Sequence, residues 1–491
     1  MPLARIPQRL FVATLLFVGS VVSIISSLGA PLIPSIAEDL DASLSSAQWS
    51  LTATMLVGAV ASPIVGRLGD GRHRRAVVLA CLGAVLAGCV MAALAESLAV
   101  LVAGRALQGA GLALIPLTMA AARDHLPARR SPGVIAVLSV IAAVGVGLGY
   151  PVTGFIAEHA DLAACFWAGA AMTAAALLMA AIAIPKPSDD TPPRPLDLVG
   201  AALIAIGLVA LLVGIEKGPD WGWTSTRTLG LLAVAAALLA GWTRYEQRVA
   251  EPLVDLRLAR HRAVLTANVS GLALGVAMYL SIALITQLVQ LPPAGGGLGE
   301  SVFVAGLTLL PLSVGSFLAS RCLPLAHERL GARAIVPLGA VAVGVAALFF
   351  AATATRLWEV FVTLGMVGVG LGFSFAALPG LIVRAVPPAE TGSATGFYQV
   401  ARYVGFSVGS GLSVTLVRSF DSAGASPLDA FRWTFVVGAA LCALTAVLAW
   451  VLPGDRLESR RLDPELERLE VEEGLLGAAG LEVLDADRRP V

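Results

Sequence analysis

The sequence predicts an all-α membrane protein of fourteen transmembrane helices, arranged as two six-helix bundles with two extra helices between them. Three observations carry this. Hydrophobic residues make up 57% of the 491 residues and charged residues 13%, against about a quarter charged in a soluble domain. Apolar runs of about 20 residues, long enough to span a bilayer, recur along the chain. Arginine falls in every other loop.

The runs are 11–33, 46–66, 77–96, 99–121, 133–157, 162–184, 197–215, 228–245, 263–290, 302–320, 334–353, 357–382, 392–417 and 430–452. One set of loops carries Arg5 and Arg9, then Arg67, Arg72, Arg74 and Arg75, then Arg123, Arg129 and Arg130, then Lys186 and Arg194. It continues with Arg244, Arg248, Arg257, Arg260 and Arg262, then Arg321, Arg329 and Arg333, then Arg384, then Arg456, Arg460 and Arg461. The other set carries only Lys217, Arg227, Arg356, Arg418 and Arg432. The positive-inside rule puts the first set, and both termini, in the cytoplasm of a cell that carries the chain in its plasma membrane. A miscounted helix would scramble the alternation.

The first run follows a basic start. A cleavable signal peptide is the rival reading, but its apolar region should be about 7–15 residues, so an uncleaved helix is expected. The second run ends in GRLGDGRHRR (66–75), and the matching place in the second block reads PLAHERLGAR (324–333). Both put an acid, Asp70 or Glu328, before arginine. This internal repeat divides the chain into a bundle at 1–185, a linker with the extra helices at 186–260, a bundle at 261–453 and a cytoplasmic tail at 454–491. Parallel six-helix repeats are a transporter architecture with the substrate site between them. The linker PKPSDDTPPRP is rich in proline and charge. Trp221 and Trp223 sit where aromatic belts form. The tail is acidic, with a short amphipathic helix possible at 463–473 and a solvated segment as the plain alternative.

Net charge is +0, which gives no sign of a nucleic-acid partner. The five cysteines, Cys81, Cys89, Cys165, Cys322 and Cys442, form no CxxC pair, so neither a disulfide framework nor a metal site is expected. No cofactor is implied. No nucleophile–base pair points to an enzyme.

GRLGDGRHRR is the strongest motif. Gly66 permits close approach of a neighbour. Asp70 can accept hydrogen bonds from a helix N-terminus, where negative charge is favoured. With Arg74, Arg75 and the repeat's Glu328 this makes a gating latch; a plain basic loop is the alternative. Here the chain resembles the major facilitator superfamily, whose loop reads G-x-x-x-D-R-x-G-R-R. Gly66, Asp70, Arg74 and Arg75 match, while Gly71 and His73 depart. GRALQGAGLAL is similar to R-x-x-Q-G-x-G through Arg105, Gln108, Gly109 and Gly111. GVGLGYPVTGF is similar to the antiporter signature G-x-x-x-G-P-x-x-G-G through Gly145, Gly149, Pro151 and Gly154, with Tyr150 inserted and Phe155 at the last position. The segments at 197–223, 251–258 and 390–405 look like the fourteen-helix drug:proton antiporter branch.

The resemblance implies secondary active export of small amphipathic molecules, multidrug-type, by alternating access and with ion coupling. A substrate-specific or uncoupled carrier for neutral or anionic metabolites, and a non-transporting receptor or scaffold, are the alternatives. The partners are a small-molecule substrate, protons and the lipid bilayer. The helix-bend motif Gly145, Gly149, Pro151, Gly154 either hinges the fifth helix or simply packs tightly.

Candidate cavity residues are Arg105 and Gln108, Tyr398, Gln399 and Arg402, Trp49, Asn268, Tyr279 and Gln287, with Gln48 beside Trp49. A charge as deep as Arg402 faces a cavity or a partner; Arg105, nearer the outer end, has snorkelling as its alternative. No Asp, Glu or His lies in the middle of any run. The acid that the resemblance implies in the first helix aligns with Ile24, flanked by Ser23, Ser26 and Ser27. This predicts neutral or anionic substrates over permanent cations, with proton coupling weak or routed through an outer-end acid such as Glu359.

Overall fold

In the computed structural model, residues 7–28, 32–127, 129–185, 196–293, 296–353 and 356–452 are described. Arg5, the linker 186–195 and the tail with its expected helix at 463–473 lie outside the described residues, as do the side chains of Tyr150 and Glu158 and the surroundings of Gly154.

Fourteen long helices follow one another among the described residues: α1 (Gln8–Ser27), α2 (Trp49–Gly69), α3 (Arg74–Ala93), α4 (Leu98–His125), α5 (Ser131–His159), α6 (Leu162–Ala183) and α7 (Leu198–Trp221). The rest are α8 (Thr226–Glu246), α9 (Arg262–Gln290), α10 (Phe303–Leu330), α11 (Ala332–Thr353), α12 (Leu357–Ala385), α13 (Thr391–Ser422) and α14 (Pro427–Val451). Thirteen are apolar and long enough to span a membrane, and α5 adds a further 29 residues. The all-α fold read from the runs is therefore the fold observed. Among the described residues the connection between α1 and α2 carries two short helices, Ile33–Asp39 and Leu44–Ala47.

The helix ends follow capping chemistry. Asp161, Asp197, Ser225 and Ser426 each accept a backbone N–H of the first turn of α6, α7, α8 or α14, satisfying donors that have no intrahelical partner. Gly222 (φ 86°) and Gly331 (φ 77°) end α7 and α10 in a conformation that disfavours a side chain.

Within α1–α6, α1 packs on α5 and α6, α3 on α4 and α6, and α2 on α4. Within α9–α14, α9 packs on α13, α10 on α12, and α11 on α12 and α14. Small residues set the closest approaches: Gly405 and Gly409 lie against Leu272 and Val276, and Gly368 and Gly372 against Leu312 and Ser316. Backbones meet there without side chains between them. Two seams join the sets, α2 against α13 and α5 against α10 and α12. At the second seam Ser313 Oγ donates to Val144 O at 3.0 Å, and Ser139 Oγ donates to Phe375 O.

The extra helices α7 and α8 form a hairpin over the first seam. Ala201, Ile204, Leu208 and Trp242 share an apolar cluster with Val400 of α13, joined by Val60 and Ile64 of α2. The hairpin is held at its base: Tyr245 donates to Asp197 at 3.1 Å, and Glu246 accepts from Trp242 Nε1 and the Leu253 N–H.

Candidate transport pathway

The α2–α13 seam is closed at its arginine-rich end. Asp70, the C-cap of α2, accepts from the Gly392 N–H at 2.6 Å and the Ser393 N–H at 2.7 Å. These are first-turn N–H groups of α13, which no intrahelical carbonyl can satisfy. Asp70 is buried, and burial lifts its carboxyl to about 6 although both backbone donors pull it down. Gly66 lies against Gly392: a methyl there would come within 2.5 Å of the Gly392 carbonyl oxygen. The latch geometry expected for Gly66 and Asp70 is thus present, with α13 as the helix end.

The arginines of the motif take other roles. Arg74 pairs with Asp124 at 2.5 Å and donates to Gly69 O, and Arg75 donates to Ala181 O at 2.6 Å. Both brace the first set of helices internally. The other bonds that cross this seam come from residues the sequence did not single out for the latch. Arg67 is buried and pairs with Glu390 at 3.2 Å and Glu251 at 2.8 Å. Arg123 donates to Thr391 Oγ1 at 2.6 Å and to Val386 O at 3.0 Å. The available signal was PAET (388–391): proline and an acid at a helix start mark an N-terminus. Glu328, expected to share the latch, is exposed to solvent at the end of α10. Among the described residues the repeated sequence does not repeat the contact: Asp70 is buried and Glu328 exposed.

Arg402 sits eleven residues into α13 and is 1% exposed. Its guanidinium lies 4.1 Å over the Phe375 ring, with Tyr398 and Phe406 at 5.8 and 5.6 Å. Nη1 donates to Gln399 Oε1 at 2.9 Å. Nε and Nη2 are buried with no acceptor among the described residues. Burying donors this way is costly, and ring faces offset it only in part. Asn268 Oδ1 on α9 is likewise buried without a partner.

Arg105 differs. It is 0% exposed; it does not snorkel outward. Its guanidinium donates to Ile25 O (2.9 Å), Ser26 O (3.2 Å), Ser50 O (3.2 Å) and Gln108 Oε1 (2.5 Å). Ile25 and Ser26 offer the last carbonyls of α1, where a cation is favoured. Arg105 and Gln108 are therefore packed into the first set of helices and do not face a cleft.

At the arginine-poor end the seam opens into a cleft lined by Leu51, Thr52 and Met55 of α2, Glu216 of α7, Tyr279 of α9, and Tyr403 and Phe406 of α13. Tyr279 stacks on Phe406 at 4.5 Å. Trp49 lies at the rim with Lys217 5.6 Å over its ring. Gln48 and Gln287 are exposed at helix ends rather than in the cleft. Glu216 lies just beyond the apolar run 197–215, so it leaves the middle of that run free of acid, yet it belongs to α7 and lines the cleft. The apolar run stops at 215, but Lys217 pairs with Asp220 at 3.8 Å and α7 continues to Trp221. Glu359 is the N3 acid of a capping box with Arg356, so its carboxylate is engaged at the start of α12.

Gly145 and Gly149 are buried in α5, with Gly145 against Ser23 of α1. Thr153 Oγ1 donates to Gly149 O at 2.6 Å. The helix runs without interruption through Pro151, the bland packing role being the one visible here. Among the described residues no group of histidine, cysteine or carboxylate side chains is placed to hold a metal.

The profile of the Major Facilitator Superfamily matches residues 15–410 and 269–483. The chain is 28% identical over 400 residues to the tetracenomycin C resistance and export protein of Streptomyces glaucescens, covering 79% of this chain and 71% of that protein. It is 30% identical over 414 residues to a probable actinorhodin transporter of Streptomyces coelicolor, covering 78% and 68%. It is 27% identical over 384 residues to the multidrug resistance protein Stp of Mycobacterium tuberculosis, covering 77% and 70%. The fold matches the crystal structure of the human organic anion transporter TETRAN with a TM-score of 0.62 at 17% identity, over 90% of this chain and 99% of that one. With its ordered motifs, its fourteen helices and a seam closed at one end and open at the other, the chain belongs to the Major Facilitator Superfamily of multi-pass membrane transporters and is a secondary transporter rather than an enzyme.

Proposed function

We propose that the protein exports small amphipathic molecules across the plasma membrane by alternating access, as a member of the fourteen-helix drug:proton antiporter branch. The observation that carries this reading is Arg402, a buried cation in an aromatic box with two donors that no acceptor among the described residues receives. A neutral acceptor or an anionic group of the substrate would satisfy them, and a guanidinium suits carboxylates and phosphates. The names of the relatives, which speak of resistance and export, support outward transport of this class.

With the arginine-rich loops in the cytoplasm, the described conformation is closed inside and open outside. The repeats 1–185 and 261–453 are then the rocking bodies, and the Asp70 contact holds the closed inner end. The test is an efflux and toxicity screen in a host lacking its own pumps, using carboxylated and neutral amphiphiles, with Arg402→Ala as the control. Accumulation should fall for the unaltered protein and not for the variant. Equal efflux by both would overturn the reading. The uncoupled-carrier alternative draws on the absence of an acid in α1; flux that is unchanged when the proton gradient is collapsed would select it.

A further inference from the structure

We propose that the extra helix α7 is a working wall of the transport pathway, and that Glu216 is its cation-binding group, taking the ammonium of an amphipathic substrate. This rests on the reading of the outer cleft as the substrate pathway.

The hairpin is not a lipid-side appendage. α7 packs on both α2 and α13. Its outer end is pinned to α13 by Trp223 Nε1, which donates to Thr415 Oγ1 at 2.9 Å, and by Arg418, which donates to Pro219 O at 2.8 Å. At Gly411 of α13 a methyl would come within 3.1 Å of the Ile215 carbonyl oxygen, so the backbones touch beside Glu216. On the other flank Lys217 reaches over Trp49 of α2. α7 therefore contacts both sides of the seam that must open and close.

Charge bookkeeping then isolates Glu216. Its charged neighbours are Lys217 and Asp220 on its own helix, and these pair with each other. The cleft-lining residues of α2 carry no charge. α9 and α13 bring Tyr279 and Tyr403 to the cleft, and Arg418 of α13 is spent on the Pro219 carbonyl. Glu216 has no hydrogen-bond or ion-pair partner among the described residues. A half-buried carboxylate whose one cationic neighbour, Lys217, is paired with Asp220, facing the rings of Tyr279, Tyr403 and Phe406, is a site for an organic cation: the carboxylate supplies the charge and the ring faces add cation–π attraction.

Phe406 belongs to both charged sites, since it lines this cleft and also stacks beside Arg402. A substrate with an ammonium at one end and an acceptor at the other matches the pair. A proton competes with the ammonium for the same carboxylate, so cation affinity falls as pH falls through the carboxyl range.

The experiment measures binding of ethidium and of a naphthyl carboxylate to the purified full-length protein, for the unaltered chain, Glu216→Gln, Arg402→Leu and the exposed control Glu328→Gln. Glu216→Gln should weaken ethidium by about tenfold or more, as expected for one lost charge contact at moderate dielectric, and abolish the pH dependence. It should leave the carboxylate within about twofold, well under 1.4 kcal/mol. Glu328→Gln should change neither. Unchanged ethidium affinity in Glu216→Gln, equal losses for both probes, or no ethidium binding to the unaltered chain would each overturn the proposal. Failure of the Arg402 reading registers separately, as naphthyl carboxylate binding that survives Arg402→Leu.

Discussion

Arg105 and Arg402 look alike in the sequence: each is an arginine inside an apolar run, followed or preceded at three residues by a glutamine. In the structure they are opposites. Arg105 is enclosed by three backbone carbonyls and Gln108, and ties α4 to the ends of α1 and α2. Arg402 has one acceptor, three ring faces and two orphaned donors. Both are out of water, so burial does not separate them; satisfaction does. A charge whose donors all end on protein is part of the scaffold. A charge with donors left over is, on the function proposed above, kept for the substrate.

The largest effect tests that contrast directly. Arg105→Leu should destabilise the protein by at least about 3 kcal/mol, because it strands buried carbonyls that had partners. Arg402→Leu strands no charged partner. It should leave stability within about 1 kcal/mol or raise it, as apolar replacement of buried charge often does. Thermal unfolding of both purified variants beside a flux assay checks this. The account expects Arg402→Leu to be folded and inactive, and Arg105→Leu to be poorly folded. A folded, active Arg402→Leu would erase the distinction.

The same reasoning separates the two repeat loops. Asp70→Ala leaves the Gly392 and Ser393 N–H groups buried without an acceptor, at about 1–3 kcal/mol each. It should move the population toward an open inner end and lower transport, while Asp70→Asn, neutral like the protonated acid and keeping one acceptor, should hold the inner end closed and lower transport by slowing its opening. Neither should reduce the amount of protein in the membrane. Glu328→Gln, on an exposed side chain, should stay within about 0.5 kcal/mol. Spin-label distances between Arg72→Cys and Ala389→Cys, placed on exposed sites across the inner seam, read the outcome. Gly66→Ala should lengthen the same distance, since its methyl meets backbone that cannot rotate away.

How much of this the sequence carried depends on what each residue meets. The Asp70 contact was legible because an acid at a helix end has one common use, and a helix N-terminus was available opposite it. Its partner on α13 was not, since 322 residues separate Asp70 from Gly392. The helix count was legible from hydropathy and from arginine alternation. The end of α7 was not: Glu216, Lys217 and Asp220 break the apolar run, yet Lys217 and Asp220 neutralise each other and the helix continues. Stopping the run at 215 left Glu216, a carboxylate that lines the cleft, out of the candidate cavity residues. Arg105 and Arg402 could not be told apart because the carbonyls that receive Arg105 belong to residues up to 80 positions away.

A smaller effect follows from the Asp70 carboxyl, which burial lifts from its ordinary 3.8 to about 6 in the latched state. A group with a raised pKa binds its proton more tightly in that state. Its contribution to latching is therefore fully present below about 3.8 and lost as pH rises through about 6. The inner-seam distance should shorten between pH 7 and pH 5, and Asp70→Asn should remove the change. The orientation has its own check: in a background without Cys322, an impermeant reagent applied from outside should label Pro219→Cys and not Asp190→Cys. The reverse pattern would invert the inside and outside of the account.

The central claim is that Arg402 keeps its spare donors for the substrate. The most direct measurement is the thermal unfolding midpoint of the purified protein with and without a saturating carboxylated amphiphile, for the unaltered chain and for Arg402→Leu. A ligand that binds the folded state at a hundredfold excess over its Kd stabilises by about 2.7 kcal/mol. The account predicts a rise in the unaltered protein and none in Arg402→Leu. An equal rise in both would contradict it.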